Sequence, residues 1–432
     1  LVDHHLAHAA SVVMMSKFSS CNYITLDGFG DFLSTTIGNF GNQNFNTIQE
    51  VQFPHSLGLF YTSITQFLGF KKYGDEYKVM GLSSYGDPIY NDKINEIVSF
   101  DKKNLFKLNL SYFKHHNEGI EMSWLDGEPK LSDVYTDKLK NLLGEPRRID
   151  EKISKKHMDI AASTQNVFEE ITIKILNRLY ELNNSENLCL SGGCAMNSVF
   201  NGKILENTKY KNIYINHSPG DSGGGIGAAA ILLNKIYKKE IKIDDTPYLG
   251  PDFSERKITD TLNSYEKKFK ALNIEIKKFD NNDDLKNTIA INLSKNKVIG
   301  LFQGRMEFGS RALGNRSIIC DPRNPNIKDL LNLKIKNREQ FRPFAPSILL
   351  DDINEWFYLN DEVPFMSKVY KIKKEKAHLV PGVVHVDGTC RIQTVSKKYN
   401  SFYYDIIKKF KEITSIPMIL NTSFNENEPI VC

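Results

Sequence analysis

No two of the six cysteines (Cys21, Cys189, Cys194, Cys320, Cys390 and Cys432) stand at CxxC spacing. That spacing serves thiolate zinc sites and redox pairs, so structural zinc of the sulfur-ligated kind is excluded and scattered reduced thiols of a cytoplasmic protein are expected. No run approaches 18 consecutive apolar residues, and no basic-then-apolar leader stands at the start, so neither a membrane-spanning helix nor a signal segment is expected. Neither charge is in clear excess: 56 Lys+Arg against 52 Asp+Glu leave +4. A nucleic-acid partner would leave a basic stripe, so none is expected. Also missing are the GK[ST] of a P-loop, the HExxH of zinc peptidases, and any internal repeat or low-complexity tract.

What is present is an ordinary globular composition, 41% hydrophobic and 25% charged, over 432 residues, enough for two domains. CNYITLDGFGDFLSTTIGNF (21–40) reads as a β-hairpin about a Gly/Asp turn. From Met158 to Leu182, Ile160, Val167, Ile171, Ile175 and Leu179 recur mostly every four residues, which predicts an amphipathic helix. The strand LCL runs into SGG, and the strand NIYIN (212–216) into SPGDSGGGIGAAA and a helix. Strand, glycine loop, helix, twice over, is α/β grammar with ligands at the strand ends. Around 238–257 the chain turns charged, Pro/Gly-bearing and aperiodic. A boundary there gives a first domain over 1–245, a linker over 246–262, and a second α/β domain over 263–432 that includes the strand KVIGLF (297–302).

Three of the ten histidines fall in LVDHHLAH, and His4 and His8 are four apart in a segment rich in Ala and Leu. On a helix that spacing sets both imidazoles on one face, as a two-histidine metal site needs, with His5 pointing elsewhere. Such pairs also cap helices or sit on surfaces, so carboxylates from other segments must decide. Asp27, at the end of the strand YITL, and Asp221, in SPGDSGGGIGAA, are the candidates. The plain alternatives are a type I′ turn for Asp27 and an N-cap for Asp221. Two histidines and two carboxylates would suit iron, manganese or zinc. LSGGCAMNS (190–198) and SPGDSGGGIG (218–227) are glycine loops of the kind that lets backbone N–H groups approach a phosphate. In the second domain Arg305, Arg311, Arg316, Arg323, Lys336, Arg338, Arg342 and Arg391 are interleaved with Gly, Phe and Pro instead of acids at helical spacing. That favours guanidinium forks converging on an anion, with Asn421 and Ser423 as neutral hydrogen-bonding groups.

Together HHLAHAAS, LDGFGD, FPHSLGLFYTSITQFLGF, GDEYKVMGLSSYGD, LSGGCAMNS, SPGDSGGGIGAA, FQGRMEFGSRALGNRSI, FRPFAPSIL, VDGTCRIQTV and NTSFN resemble the bacterial O-carbamoyltransferases of the nodulation-factor and cephamycin/tobramycin type, in the same order. The resemblance implies an α/β chain with an actin/sugar-kinase-like (ASKHA) part, akin to the tRNA threonylcarbamoyl-modification ATPase, followed by a YrdC-like part. It implies that carbamoyl phosphate and ATP yield carbamoyladenylate, and that the carbamoyl group then passes to a hydroxyl of a sugar or natural product. His4, His8, Asp27 and Asp221 would hold a divalent metal (Fe, Mn, Zn or Mg), and Gly192, Gly193 and Asn197 would line the adenylate. Arg311, Lys336 and Arg342 would be catalytic with Asp221, and Arg316, Arg391, Asn421 and Ser423 would bind substrate and nucleotide. Family sequence is expected ahead of Leu1 and beyond Cys432, and a homodimer is left open. The rival readings are a threonylcarbamoyl-type tRNA enzyme, an inactive nucleotide- or metal-binding fragment and, more distantly, a sugar-kinase-like phosphotransferase.

Overall fold

The computed structural model describes residues 1–125, 128–237, 241–359, 361–426 and 430–431. Cys432 lies outside them. The chain forms two compact α/β units. The first is Leu1–Asp245 with Ser367–Val369 and His385–Asp387, and the second is Thr246–Met366, Tyr370–Val384 and Gly388–Cys432.

In the first unit, helix α1 (His4–Val13) precedes three antiparallel strands, β1 (Cys21–Gly30), β2 (Leu33–Gly41) and β3 (Asn44–Gln52). After α2 (Leu57–Phe67) comes a long helix, α3 (Lys155–Leu182), which begins three residues before the periodic stretch. The Ser154 backbone N–H donates to His157 Nδ1 at 3.1 Å and fixes that start. Strand β4 (Asn187–Ser191), helix α4 (Ser198–Asn207), strand β5 (Asn212–Tyr214) and helix α5 (Gly224–Tyr237) follow. The sheet order is β3-β2-β1-β4-β5, with β1, β4 and β5 parallel. Parallel strands need a helical crossover, and α3 and α4 supply it.

α1 buries Ala9, Ala10, Val12 and Val13 on the sheet, in a cluster with Tyr23, Phe40 and Ala230. α1 and α5 lie against each other. They touch backbone to side: a Cβ placed on Gly227 would stand 1.8 Å from the Ala7 carbonyl oxygen.

In the second unit, helices Glu255–Ser264 and Glu266–Ala271 bury no side chain and lead to helix α6 (Asn282–Ser294). The sheet that follows contains β6 (Ile299–Phe302), β7 (Arg316–Cys320), β8 (Ala345–Leu349), β9 (Gln393–Val395) and β10 (Met418–Ser423) in the order β6-β7-β10-β8-β9. All its ladders are antiparallel except β8 with β9. Helix Ser401–Thr414 covers it with Tyr403, Ile406, Ile407 and Phe410.

Candidate functional site

Asp27 does not end its strand. β1 runs on to Gly30, but the ladder with β2 slips between the pairs Leu26↔Thr35 and Gly30↔Leu33. Residues 27–29 form a bulge, a device that re-aims a side chain. The hairpin turn lies beyond it, at Asp31 and Phe32, both left-handed at φ 50° and 63°.

Asp27 turns toward α1, where the i, i+4 spacing has set both imidazoles on one face as expected. Its Oδ2 lies 2.9 Å from His4 Nε2 and 3.2 Å from His8 Nε2, and the two Nε2 atoms are 3.0 Å apart. Asp221, in a short 3₁₀ turn ahead of α5, brings Oδ1 to 3.3 Å from His8 Nε2 and 3.6 Å from His4 Nε2. These four ligand atoms lie within 4.8 Å of one another. Ligand atoms about 2.1 Å from one ion sit about 3.0–3.4 Å apart at octahedral or tetrahedral angles. Three of the separations fall at those values and the donors are nitrogen and oxygen, so the residues fit a divalent transition metal.

The remaining contacts hold the cage in place. His5, missed as a site residue, anchors α1 to the hairpin through Nδ1 to Thr25 Oγ1 at 2.7 Å and Nε2 to Leu33 O at 3.0 Å. Ser191, at the end of β4, places Oγ 3.5 Å from His8 Nδ1. The Gly193 N–H donates to Asp27 Oδ1 at 3.2 Å. Gly192 has φ +91°, and a Cβ there would stand 2.2 Å from Leu26 O, so only glycine lets the loop pass β1. Burial of His8 would lower its pKa, but hydrogen bonds to Asp221 and Asp27 outweigh it and raise it to about 9. Burial of Asp27 would raise its pKa, but hydrogen bonds from His4 and His8 hold it well below the carboxylate range.

The glycine loop places Asn197 beside other protein groups. Its Nδ2 donates to Gln165 Oε1 at 2.9 Å and its Oδ1 accepts from Gln165 Nε2 and from the Phe200 N–H, capping α4.

The cationic residues of the second unit divide into two groups. Arg316 is fully buried, stacked 3.7 Å from the Phe302 ring centroid, and donates to the carbonyls of Gln303, Gly304, Asn315 and Pro251. Lys336, equally buried, donates to Ser423 and to Asn425 Oδ1 at 2.9 Å, while Ser423 Oγ donates to Asn425 Oδ1 at 2.6 Å. Arg323 pairs with Asp321 at 2.6 Å, and Arg305 binds the carbonyls of Leu249 and Gly250. Sequence reasoning also missed Glu307, whose buried Oε1 accepts from the backbone N–H groups of Leu313, Asn315 and Arg316 and folds the loop around itself. An acid alone among arginines and glycines in GRMEFGSRALGNR was the available signal.

Arg391, Arg311, Arg338 and Arg342 form the second group. Burial first, and then the positive charges of the other three, push the Arg391 guanidinium well below the arginine range. Arginine does not deprotonate in proteins, so the shift reflects a positive charge held at a disadvantage. Within this group Glu339 lies 3.6 Å from Arg342, and Arg391 Nε is buried without a hydrogen-bond partner. Nearby Asn421 donates to Ala312 O, Ser347 Oγ and Gln393 Oε1, each at 3.1 Å, and its own buried Oδ1 has no partner. The crowded guanidinium groups are what an anion completes, whereas Asn421 Oδ1, an acceptor, calls for a donor.

The carbamoyltransferase N-terminus profile matches residues 1–230 and the carbamoyltransferase C-terminus profile residues 290–432. The chain belongs to the carbamoyltransferase family. It is 37% identical over 441 residues to nodulation protein NolO of Bradyrhizobium diazoefficiens, covering all of this chain and 74% of that one. It is 36% identical over 439 residues to nodulation protein NolNO of Sinorhizobium fredii, covering 100% of this chain and 60% of the relative. A Synechocystis protein is 38% identical over 458 residues, with 71% of its length covered. Among solved structures, HypF in its phosphate- and nucleotide-bound form aligns over 56% of this chain at 18% identity, with a TM-score of 0.29. Among the described residues, no helix of this carbamoyltransferase is long and apolar enough to cross a membrane.

Proposed function

We propose that this chain is an O-carbamoyltransferase that couples carbamoyl phosphate and ATP to the carbamoylation of a small-molecule hydroxyl. In this reading the ASKHA-like part, residues 1–245, carries the transfer centre, and the YrdC-like part, residues 263–432, forms carbamoyladenylate. The observation that carries it is the coexistence of a four-residue His/Asp cage in one unit and a four-arginine cluster in the other.

In the second unit, carbamoyl phosphate takes up water and releases phosphate. The resulting carbamate oxygen attacks the α-phosphorus of ATP, and pyrophosphate leaves. Charge spreads over the phosphoryl oxygens, and fixed guanidinium groups of Arg311, Arg338, Arg342 and Arg391 would stabilise it without reorganising. Arg316 and Lys336 hold the loop and strand that aim them. In the first unit the acceptor oxygen bonds to the carbamoyl carbon, the carbon–oxygen bond to AMP breaks, and AMP departs with the electron pair. The acceptor proton passes to a base, a role the exposed carboxylate of Asp221 would fill with the oxygen it does not turn to the cage. A metal held by His4, His8, Asp27 and Asp221 would supply Lewis-acid polarisation of an acyl or phosphoryl oxygen. Carbamoyladenylate hydrolyses readily, so both centres need to exclude water.

The test is ATP–pyrophosphate exchange. Exchange that depends on added carbamoyl phosphate is expected, and its absence in a folded, metal-loaded protein would contradict the reading.

A further inference from the structure

Three successive residues carry strand β4 into its glycine loop, and each is bonded to a different side of the cage. Ser191, fully buried, donates its hydroxyl hydrogen to Pro219 O at 3.2 Å. Its lone pair is left for the Nδ1–H of His8, over a long 3.5 Å, and among the described residues that nitrogen has no other partner. The Gly192 N–H donates to the same Pro219 carbonyl at 2.7 Å, two residues ahead of Asp221. The Gly193 N–H donates to Asp27 Oδ1, which leaves Oδ2 to face both imidazoles at 2.9 and 3.2 Å. His8, the Asp221 turn and Asp27 are thus met by residues 191, 192 and 193 in turn. The same bonds use the N–H groups of Gly192 and Gly193, the pair that the family resemblance sets against the adenylate.

We propose that Ser191, Gly192 and Gly193 are positioning residues for a divalent cation in the cage, and that these two glycines serve the cation instead of a phosphate. The hydrogen bond at one ring nitrogen of a histidine decides which nitrogen is left to ligate. A hydroxyl oxygen at Nδ1 keeps the remaining proton of His8 there and the Nε2 lone pair inward. Holding Asp27 by Oδ1 frees Oδ2 in the same way. The bonds to Pro219 extend the clamp to the turn that presents Asp221, so one backbone segment registers ligands from α1, β1 and the approach to α5. Partners of this kind are worth about ten- to a hundredfold in metal affinity. The proposal rests on the metal-holding part of the reading above, and the unsubstituted chain tests that part separately.

The test is a titration of the metal-stripped 432-residue chain with Zn²⁺ in competition with a chromophoric chelator. The unsubstituted chain is expected to bind Zn²⁺. Ser191→Ala should weaken that binding about tenfold or more, and Ser191→Thr, which keeps the hydroxyl, should hold it within about threefold. Gly193→Ala should also weaken it, because a Cβ there would stand 3.0 Å from Asp27 Oδ1 and push the carboxylate aside. Melting curves of the metal-free variants verify folding. The visible absorption of the Co²⁺-loaded chain should shift in both alanine variants, a change that lost stability alone would not produce. Parental Zn²⁺ affinity in either folded alanine variant, or equal weakening in Ser191→Thr and Ser191→Ala, would overturn the clamp. Absence of Zn²⁺ binding by the unsubstituted chain would defeat the metal reading itself, and the clamp with it.

Discussion

The protonation of His8 ties the first unit to pH at the scale of one residue. Its pKa is raised to about 9 by Asp221 and Asp27 against the opposing effect of burial. Without metal, the stabilisation is fully present below the unfolded value near 6.5 and is lost as pH rises through about 9. Metal binding runs the other way, because the proton must leave first. Titration of metal-stripped protein should therefore show affinity rising with pH, by about tenfold per unit below 9 where this proton is the competitor. A flat profile between pH 6.5 and 8 would contradict the cage. Arg316 and Arg391 make a second contrast. Arg316→Ala leaves four carbonyls without their charged donor and should cost roughly 3–5 kcal/mol in chemical denaturation. Phosphate should raise the Tm of the parent chain, and Arg391→Ala, which relieves like-charge crowding, should leave stability unchanged or raised while abolishing that rise.

Side-chain type and interval made His4 and His8 legible at the scale of elements, because an i, i+4 pair is fixed by the helix alone. Asp27 was legible as a carboxylate near a strand end, but not as a bulge residue, because bulges depend on the partner strand. Arg316 and Arg391 look alike in sequence. Whether a guanidinium meets carbonyls or other guanidiniums depends on loops that pack only in three dimensions, and so does Asn197, which meets Gln165 on a distant helix. The glycines of SPGDSGGGIG were similarly mixed. Gly227 serves helix contact, with its Cβ direction blocked by Ala7, whereas Gly225 faces open space. Gly225→Ala should stabilise by about 0.5–1 kcal/mol through helix propensity. Gly227→Ala should destabilise by about 1–3 kcal/mol and, by moving α5 and with it Asp221, lower bound metal. Melting curves and elemental analysis of the pair check both, and equal behaviour would contradict the packing.

At the scale of the whole molecule, each unit carries its own sheet, core and polar centre, and the proposed chemistry divides in the same way. The His/Asp cage and the four-arginine cluster are built from different residues, so in the proposed division of labour each half-reaction should fail separately. Carbamoyl phosphate-dependent ATP–pyrophosphate exchange, measured on His4→Ala/His8→Ala and on Arg391→Ala beside the parent chain, tests that division most directly. The account predicts exchange close to parental in the histidine pair, with its metal and its acceptor carbamoylation lost, and exchange reduced at least about a hundredfold in Arg391→Ala. Loss of exchange in the folded histidine variant, or parental exchange in Arg391→Ala, would contradict it.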